Sequence, residues 1–422
     1  MAPSPKVASA LAQVQSAPDA SKPEQYEAIL RQIKDLSSPS TATTDLSAIV
    51  TSIISASLGI VATRSLLDLF VTTLRDLKNV DLCIEVGNHA LELIASTGAS
   101  SSFLDQIAAL RDLIASAHES NEDYIDAARC LAQIPLDSSQ RQVTNEQVAR
   151  IWVRIVRNFL EVDDTPAADT YVNKLKNIMH TVADPELHLH FQLSQARIRD
   201  AKRDFLDASK RYHDISFSKA IAEEERLHTL SMAIKCAVLA PAGPQRSRLL
   251  ARLYRDERSA GLEEFGILEK MFLDRLLRQD EVDKFAKSLL PHQLAVTASG
   301  STVLAKAVVE HNLLGASRLY ENIGFDALGA LLGLDAAGAE DTTARMIEQG
   351  RLLGRIDQVD RVIWFEKGEA SGVKGSGKAD VLVGKETRRW DANVQGIAEE
   401  VEHVVNALQT EYPEFVAAHL RA

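Results

Sequence analysis

LAKAVVEHNLLGASRLYENIGFDALGALLGLDAAGAEDTTARMIEQGRLLGRIDQVDRVIWFE, Leu304–Glu366, decides the fold. Apolar residues recur at helical spacing from about Thr302 to Tyr320. Ile323-Gly324-Phe325 reads as extended, and Asp326 as the cap of the short helix ALGALLGL. Gly333 and Asp335 supply a turn, and the next helix runs to about Gln349, where Gly350 ends it. Leu352–Asp357 and Arg361–Glu366 alternate as strands around Gln358-Val359-Asp360, with Ile363 and Phe365 pointing one way and Val362 and Trp364 the other. Helix, short strand, helix, turn, helix and two-stranded wing make a winged helix.

When such a unit reads DNA, the second helix of the turn enters the major groove with Arg, Lys, Asn or Gln at base edges. Here that helix carries Glu340, Asp341 and Glu348 against Arg345. The wing, Arg361–Phe365, is expected to present a β-edge with apolar residues, and an exposed edge is a template for strand addition from another chain. Protein assembly is therefore expected, and nucleic-acid binding is not. Bulk charge agrees: 47 basic residues among 59 acidic ones give a net charge of −12, whereas phosphate binding needs concentrated Lys and Arg.

Upstream of this unit the chain reads as nearly all helix. Before residue 243 the glycines are Gly59, Gly87 and Gly98, while between Gly315 and Gly396 glycine recurs every few residues. Prolines at 135, 166, 185, 241, 244 and 291 punctuate amphipathic segments. Ile107, Leu110, Leu113 and Ile114 share one helical face, and Ile151, Ile155, Phe159 and Leu160 another. Asp123 precedes one helix, and Asp184-Pro185 opens a second. Ala127-Ala128 and Ala167-Ala168 suit close helix crossings. This pattern predicts a mainly α protein whose first part is a degenerate α-solenoid of tetratricopeptide-like helical repeats, with an irregular bundle as the alternative. Ser37–Asp45, Ser96–Ser102 and Pro135–Gln140 read as linkers.

After the wing, Gly368–Thr387 reads as an inserted flexible loop. A helix follows from about Trp390 to Leu408. Trp390, Val394, Ile397, Val401, Val404 and Leu408 are spaced four, three, four, three and four apart, an a/d heptad seam of the kind that packs on other helices. Burying such side chains is worth about 1.5–3 kcal/mol each, so the seam is expected to be covered, by this chain's own winged helix or by partner helices. The expected subunit-interface residues are Arg361, Val362, Ile363, Trp364 and Phe365 in the wing, with the six seam residues.

Three echoes of chemistry fail on geometry. His188-Leu189-His190 with Asp200 lies in a helical pattern, where residues two apart point to nearly opposite sides and cannot converge on zinc. Gly372–Lys378, GVKGSGK, has phosphate-loop spacing, but Ala379 stands where Ser or Thr should bind magnesium. Asp163-Asp164 reads as a solvated turn. Cys83, Cys130 and Cys236 are far apart and fit buried thiols in a reducing compartment. The start, MAPSPKVASA, does not read as a secretory signal, and no stretch approaches the ~18 apolar residues of a membrane span. Cytoplasm and nucleus are expected, with no membrane contact, catalytic residue, metal or cofactor.

Several stretches carry a family resemblance: QRSRLLARLYRDER (Gln245–Arg258), GILEKMFLDRLLR (Gly266–Arg278), PHQ (Pro291–Gln293), VVEHNLLGASRLYENIGFDALGALL (Val308–Leu332) and ARMIEQGRLLGRIDQVD (Ala344–Asp360). With AARCLAQIPL and FLEVDDTPAADTYVNK further upstream, the chain resembles the PCI-domain proteins shared by the proteasome lid, the COP9 signalosome and translation initiation factor 3, and the wording is closest to the signalosome branch. The resemblance implies domains at 1–185 (helical-repeat arm), 186–300 (helical part of the PCI domain), 301–367 (winged helix), 368–387 (loop) and 388–422 (bundle helix). It also implies a non-catalytic scaffold subunit. Its partners would be other signalosome subunits of PCI and metalloprotease type, and the complex would act on cullin–RING ligases, with deneddylation performed by a separate zinc-bearing subunit. A conformational regulator of that protease, or a lid subunit, are the alternatives.

Overall fold

Helices start in this chain where the sequence supplies a cap or a first-turn proline. Asp184 accepts a hydrogen bond from the Glu186 N–H at 2.9 Å, and Pro185 begins the helix Pro185–Ala201. Thr144 and Gln147 form a reciprocal capping box at the helix Asn145–Glu161. The structure, a computed structural model, describes residues 3–19, 21–56, 58–98, 100–136, 141, 143–296, 300–366 and 385–419. It divides into two compact units, Met1–Ala233 and Ile234–Ala422. No described helix is long and apolar enough to cross a membrane.

The first unit is a succession of helices; from Leu104 onward each packs chiefly on its sequence neighbours, as in a solenoid, whereas Lys22–Arg31, Ala42–Ser55 and Ile60–Leu77 pack more on helices two or three along. A repeat lies inside it. The turns after the helices Leu104–Ser120, Asn145–Glu161 and Pro185–Ala201 each place a non-glycine residue in the left-handed region: Glu122 (φ 63°), Asp163 (φ 57°) and Arg203 (φ 62°). An aspartate follows each, and its N–H returns to the carbonyl five residues back at 2.9 Å: Asp123 to His118, Asp164 to Phe159, and Asp204 to Arg199. That is the hydrogen bond of a Schellman helix end. These aspartates stand 41 and 40 residues apart. Four residues beyond each is a fully buried alanine (Ala127, Ala168, Ala208), and eight beyond is a buried larger side chain (Leu131, Val172, Tyr212). One turn geometry and one close crossing recur three times.

These positions give a paired prediction. Ala168→Leu forces a larger side chain into a closed crossing and is expected to cost about 1–3 kcal/mol. Asp163→Gly relieves a left-handed residue, whose cost in an L-residue is about 1–2 kcal/mol, and is expected to be neutral or stabilising. Urea unfolding midpoints check both signs.

The expected linker at Ser37–Asp45 is corrected. Its last four residues are the first turn of the helix Ala42–Ser55. Asp45 is fully buried, because its carboxylate accepts from the Ser4 N–H and the Ser37 hydroxyl, both at 2.6 Å. The linker at Ser96–Ser102 is narrower than expected, since the preceding helix ends at Ser96 and Ser100–Phe103 is a 3-10 turn; of Pro135–Gln140, residues 137–140 lie outside the described residues.

In the second unit the winged helix forms as its sequence predicts. The helix Val303–Leu319, capped by Thr302, leads into β1 (Asn322–Gly324) and the helices Phe325–Leu332 and Ala336–Glu348, followed by β2 (Gly354–Asp357) and β3 (Val362–Phe365). Gly333 closes the short helix at φ 68°, and the Asp335 side chain caps the next by accepting from the Gly338 N–H at 3.0 Å. Gly354 is required by close approach, because a Cβ there would lie 2.6 Å from the Trp364 carbonyl oxygen. Leu313, Ile323, Phe325, Leu328, Met346, Ile363 and Phe365 pack together as the core.

Two details differ from expectation. The short helix starts at Phe325 with Gly324 at its cap, and Asp326 instead pairs with Arg361 at 3.3 Å. The sheet is three-stranded in the order β1-β3-β2, all antiparallel. β3 is therefore the central strand and not an edge.

Candidate assembly surfaces

The helix Val303–Leu319 carries three consecutive polar residues inside an apolar run, Glu310-His311-Asn312, and all three are buried. Each holds a different segment. Glu310 takes Arg351 in a two-pronged pair at 2.5 and 3.0 Å and accepts from the Ala242 N–H at 3.2 Å. His311 Nε2 donates to the Arg275 carbonyl at 2.9 Å, and its Nδ1 accepts from the buried Arg246 at 3.3 Å. The Asn312 side-chain oxygen accepts from the Leu277 N–H at 3.0 Å. One helical turn thus ties the start of the wing, through Arg351, to the loops at 242 and 275–277.

The electrostatics follow from burial and partners. Burial disfavours the Glu310 carboxylate, but Arg351 and the Ala242 N–H outweigh it and hold its pKa below the usual range. Burial, reinforced by the Arg246 charge, lowers His311 to about 4, so the ring is neutral, as its one-donor, one-acceptor geometry requires. Burial also lowers Arg246 to about 10, which leaves it charged near neutrality.

A pH dependence follows from His311. Its folded pKa lies below the unfolded value of about 6.5, so the unfolded chain takes up the extra proton. The associated stability is complete above pH 6.5 and is lost as pH falls toward 4. The expected loss is about 3 kcal/mol, at about 1.4 kcal/mol per pH unit. Asp274, whose carboxyl burial raises despite Arg318 and Arg246, acts in the opposite sense, its contribution being lost as pH rises through the raised folded value. Melting curves between pH 4 and 7.5 should show this slope, and His311→Gln should flatten it.

The wing residues separate by face. Ile363 and Phe365 are buried in the core, Val362 is half-buried, and Trp364 is 39% exposed on the outer face beside the exposed Arg361. Contrary to expectation, Arg361–Phe365 offers no open strand edge, because β3 is paired on both sides. Of the five wing residues, Trp364 and Arg361 are the ones that another chain could reach without opening the core. In the helix Ala336–Glu348, Arg345 pairs with Asp341 at 2.9 Å, and Gln358 of the wing turn donates to Glu340 at 2.6 Å.

The helix Lys385–Glu411 carries the seam. Trp390, Val394, Ile397, Val401 and Val404 are all exposed, Val401 at 57%, and Leu408 is half-buried. Val405, which falls outside the four-three spacing of the seam, is also exposed. The seam is thus an uncovered apolar stripe, not one docked against the winged helix.

The zinc-like echo resolves into ordinary helix contacts. His188 reaches the Val182 carbonyl at 2.9 Å, and His190 faces Glu186 at 3.6 Å. Asp164 caps the helix Thr165–Ile178 through the Ala167 N–H at 3.1 Å. Cys83 and Cys236 are buried, and Cys130 is half-buried. Gly372–Lys378 lies outside the described residues.

Comparison with known proteins fixes the family. The model described as PSMD12/CSN4, N-terminal, matches residues 7–224, and the PCI domain model matches residues 268–367. COP9 signalosome complex subunit 4 of Neurospora crassa is 56% identical over 433 residues, covering 98% of each chain. The proteins of that name from Emericella nidulans and Dictyostelium discoideum are 50% and 40% identical, covering 95% and 94% of this chain and 97% and 94% of their own. The chain belongs to the COP9 signalosome subunit 4 family. In this family member the Glu310-His311-Asn312 turn and the wing lie inside the PCI match, while the seam helix lies beyond both matched spans.

Proposed function

We propose that this chain is a non-catalytic scaffold subunit of the COP9 signalosome, held in the complex by its C-terminal seam and by the exposed outer face of its wing. In this role it supports cullin deneddylation by the separate zinc-metalloprotease subunit, and so regulates cullin–RING ligases, in cytoplasm and nucleus. The observation that carries the reading is the uncovered a/d stripe from Trp390 to Leu408, in a chain whose relatives are named as subunits of that complex. An apolar stripe of this length in water favours association with other helices. The non-catalytic part is supported by how the buried polar groups are used. Glu310, His311 and Asn312 are each engaged in holding the fold. The test is mass spectrometry of proteins that co-purify with a tagged copy. Recovery of PCI-type and metalloprotease-type signalosome subunits supports the reading, and recovery of lid subunits in their place overturns it.

A further inference from the structure

We propose that the groove between the helix Ala336–Glu348 and the wing is a docking site for a partner segment bearing arginine or lysine. The groove has a volume of about 600 Å³, and its lining includes Glu340, Ala344, Arg355, Asp357, Asp360 and Trp364. Its lining is acidic on balance, with the three carboxylates of Glu340, Asp357 and Asp360 against Arg355. Gln358 donates to one oxygen of Glu340, the turn N–H groups of Val359 and Asp360 donate to one oxygen of Asp357, and the Asp360 carboxylate is exposed. Of the positive charges nearby, Arg355 is part of the lining and stacks on Trp364, while two others are paired with carboxylates. Arg345 pairs with Asp341, and Arg361 with Asp326.

The aromatic wall is a second, independent observation. Strand register puts Trp364 directly opposite Arg355 on β2 and Asn322 on β1, so all three share the outer face of the sheet. The Arg355 guanidinium lies 5.3 Å from the Trp364 ring centroid. The ring face therefore already accommodates a cation, and a guanidinium held over indole and flanked by carboxylates is favourable on both counts. Arg355 is exposed on a flexible stem, so a partner's side chain can displace it or stack beside it. This deepens the reading of the wing as a protein-binding face by naming the chemistry of what it binds. It is independent of the seam helix.

The experiment uses the full-length chain and a fluorescein-labelled decapeptide of alternating arginine and alanine, followed by anisotropy at low and physiological salt. Saturable binding is expected, weakening as salt screens the carboxylates. The charge reversal Glu340→Lys with Asp360→Lys should weaken it at least tenfold, and Trp364→Ala at least threefold, with unchanged melting temperatures. A control reversal of equal size at the exposed pair Glu223 and Glu224 should change it less than twofold. Equal losses in control and groove variants, binding unaffected by the groove variants, or preferential capture of duplex DNA would each overturn the proposal. If the peptide result fails while the tagged chain still recovers its sister subunits, the groove assignment falls and the scaffold reading stands.

Discussion

Val401→Asp is expected to release the chain from its complex while leaving the isolated subunit folded. Val401 sits mid-seam and is exposed in the free chain, so a carboxylate there costs the subunit itself little. In a helical bundle the same position is buried. The substitution then forfeits about 1.5–3 kcal/mol of apolar burial and adds the desolvation of a charge. A total of about 3 kcal/mol or more is over a hundredfold in affinity. Co-purification from cells should show loss of the sister subunits, with circular dichroism and melting temperature of the purified chain unchanged. Normal retention in the complex would place the contact elsewhere.

Breaking the Glu310–Arg351 pair should have the largest effect on folding. The two side chains are 4% and 13% exposed, and each leaves the other stranded if removed. Truncating one partner of such a buried pair costs about 3–5 kcal/mol. Arg351→Met should therefore approach that loss, and Glu310→Ala should match or exceed it, since Glu310 also satisfies the Ala242 N–H. The double variant Glu310→Met with Arg351→Met should recover much of the stability, because no uncompensated charge remains. A double-mutant cycle by urea unfolding measures the coupling. Additive losses would show that the pair contributes nothing jointly. The expected consequence for assembly is indirect, because loosening Arg351 frees the segment that leads into β2 and so the wing.

The winged helix was readable because its boundaries are set by local chemistry. Thr302, Asp335, Gly333 and Gly350 each act on backbone within a few residues, and the alternation in Val362–Phe365 fixes which side chains face the core. Strand order is not local. β1 is only three residues long, and its pairing with β3 depends on where Ile323 packs, so alternation in Val362–Phe365 alone does not distinguish an edge strand from the central one. The repeat in the arm is hard to read from sequence for a related reason. Its turns use Glu122, Asp163 and Arg203 in the left-handed region, where glycine would have marked them. The available signal was the aspartate followed four residues later by alanine, repeated at about forty-residue spacing, and it is weak without knowing that each alanine is closed in. The structural role of Glu310-His311-Asn312 has no local signature. Three polar residues in succession on a helix span most of a turn, and only their long-range partners reveal that all of them are buried.

The seam, by contrast, was legible as periodicity but not as an uncovered surface, because sequence does not tell which helix faces which. The account stands or falls on what covers it. Amide hydrogen exchange across residues 394–408, measured in the free chain and in the assembled complex, tests this directly. Slow exchange on assembly, at least a hundredfold slower than in the free chain, is the expected result. Equally fast exchange in both states would contradict it.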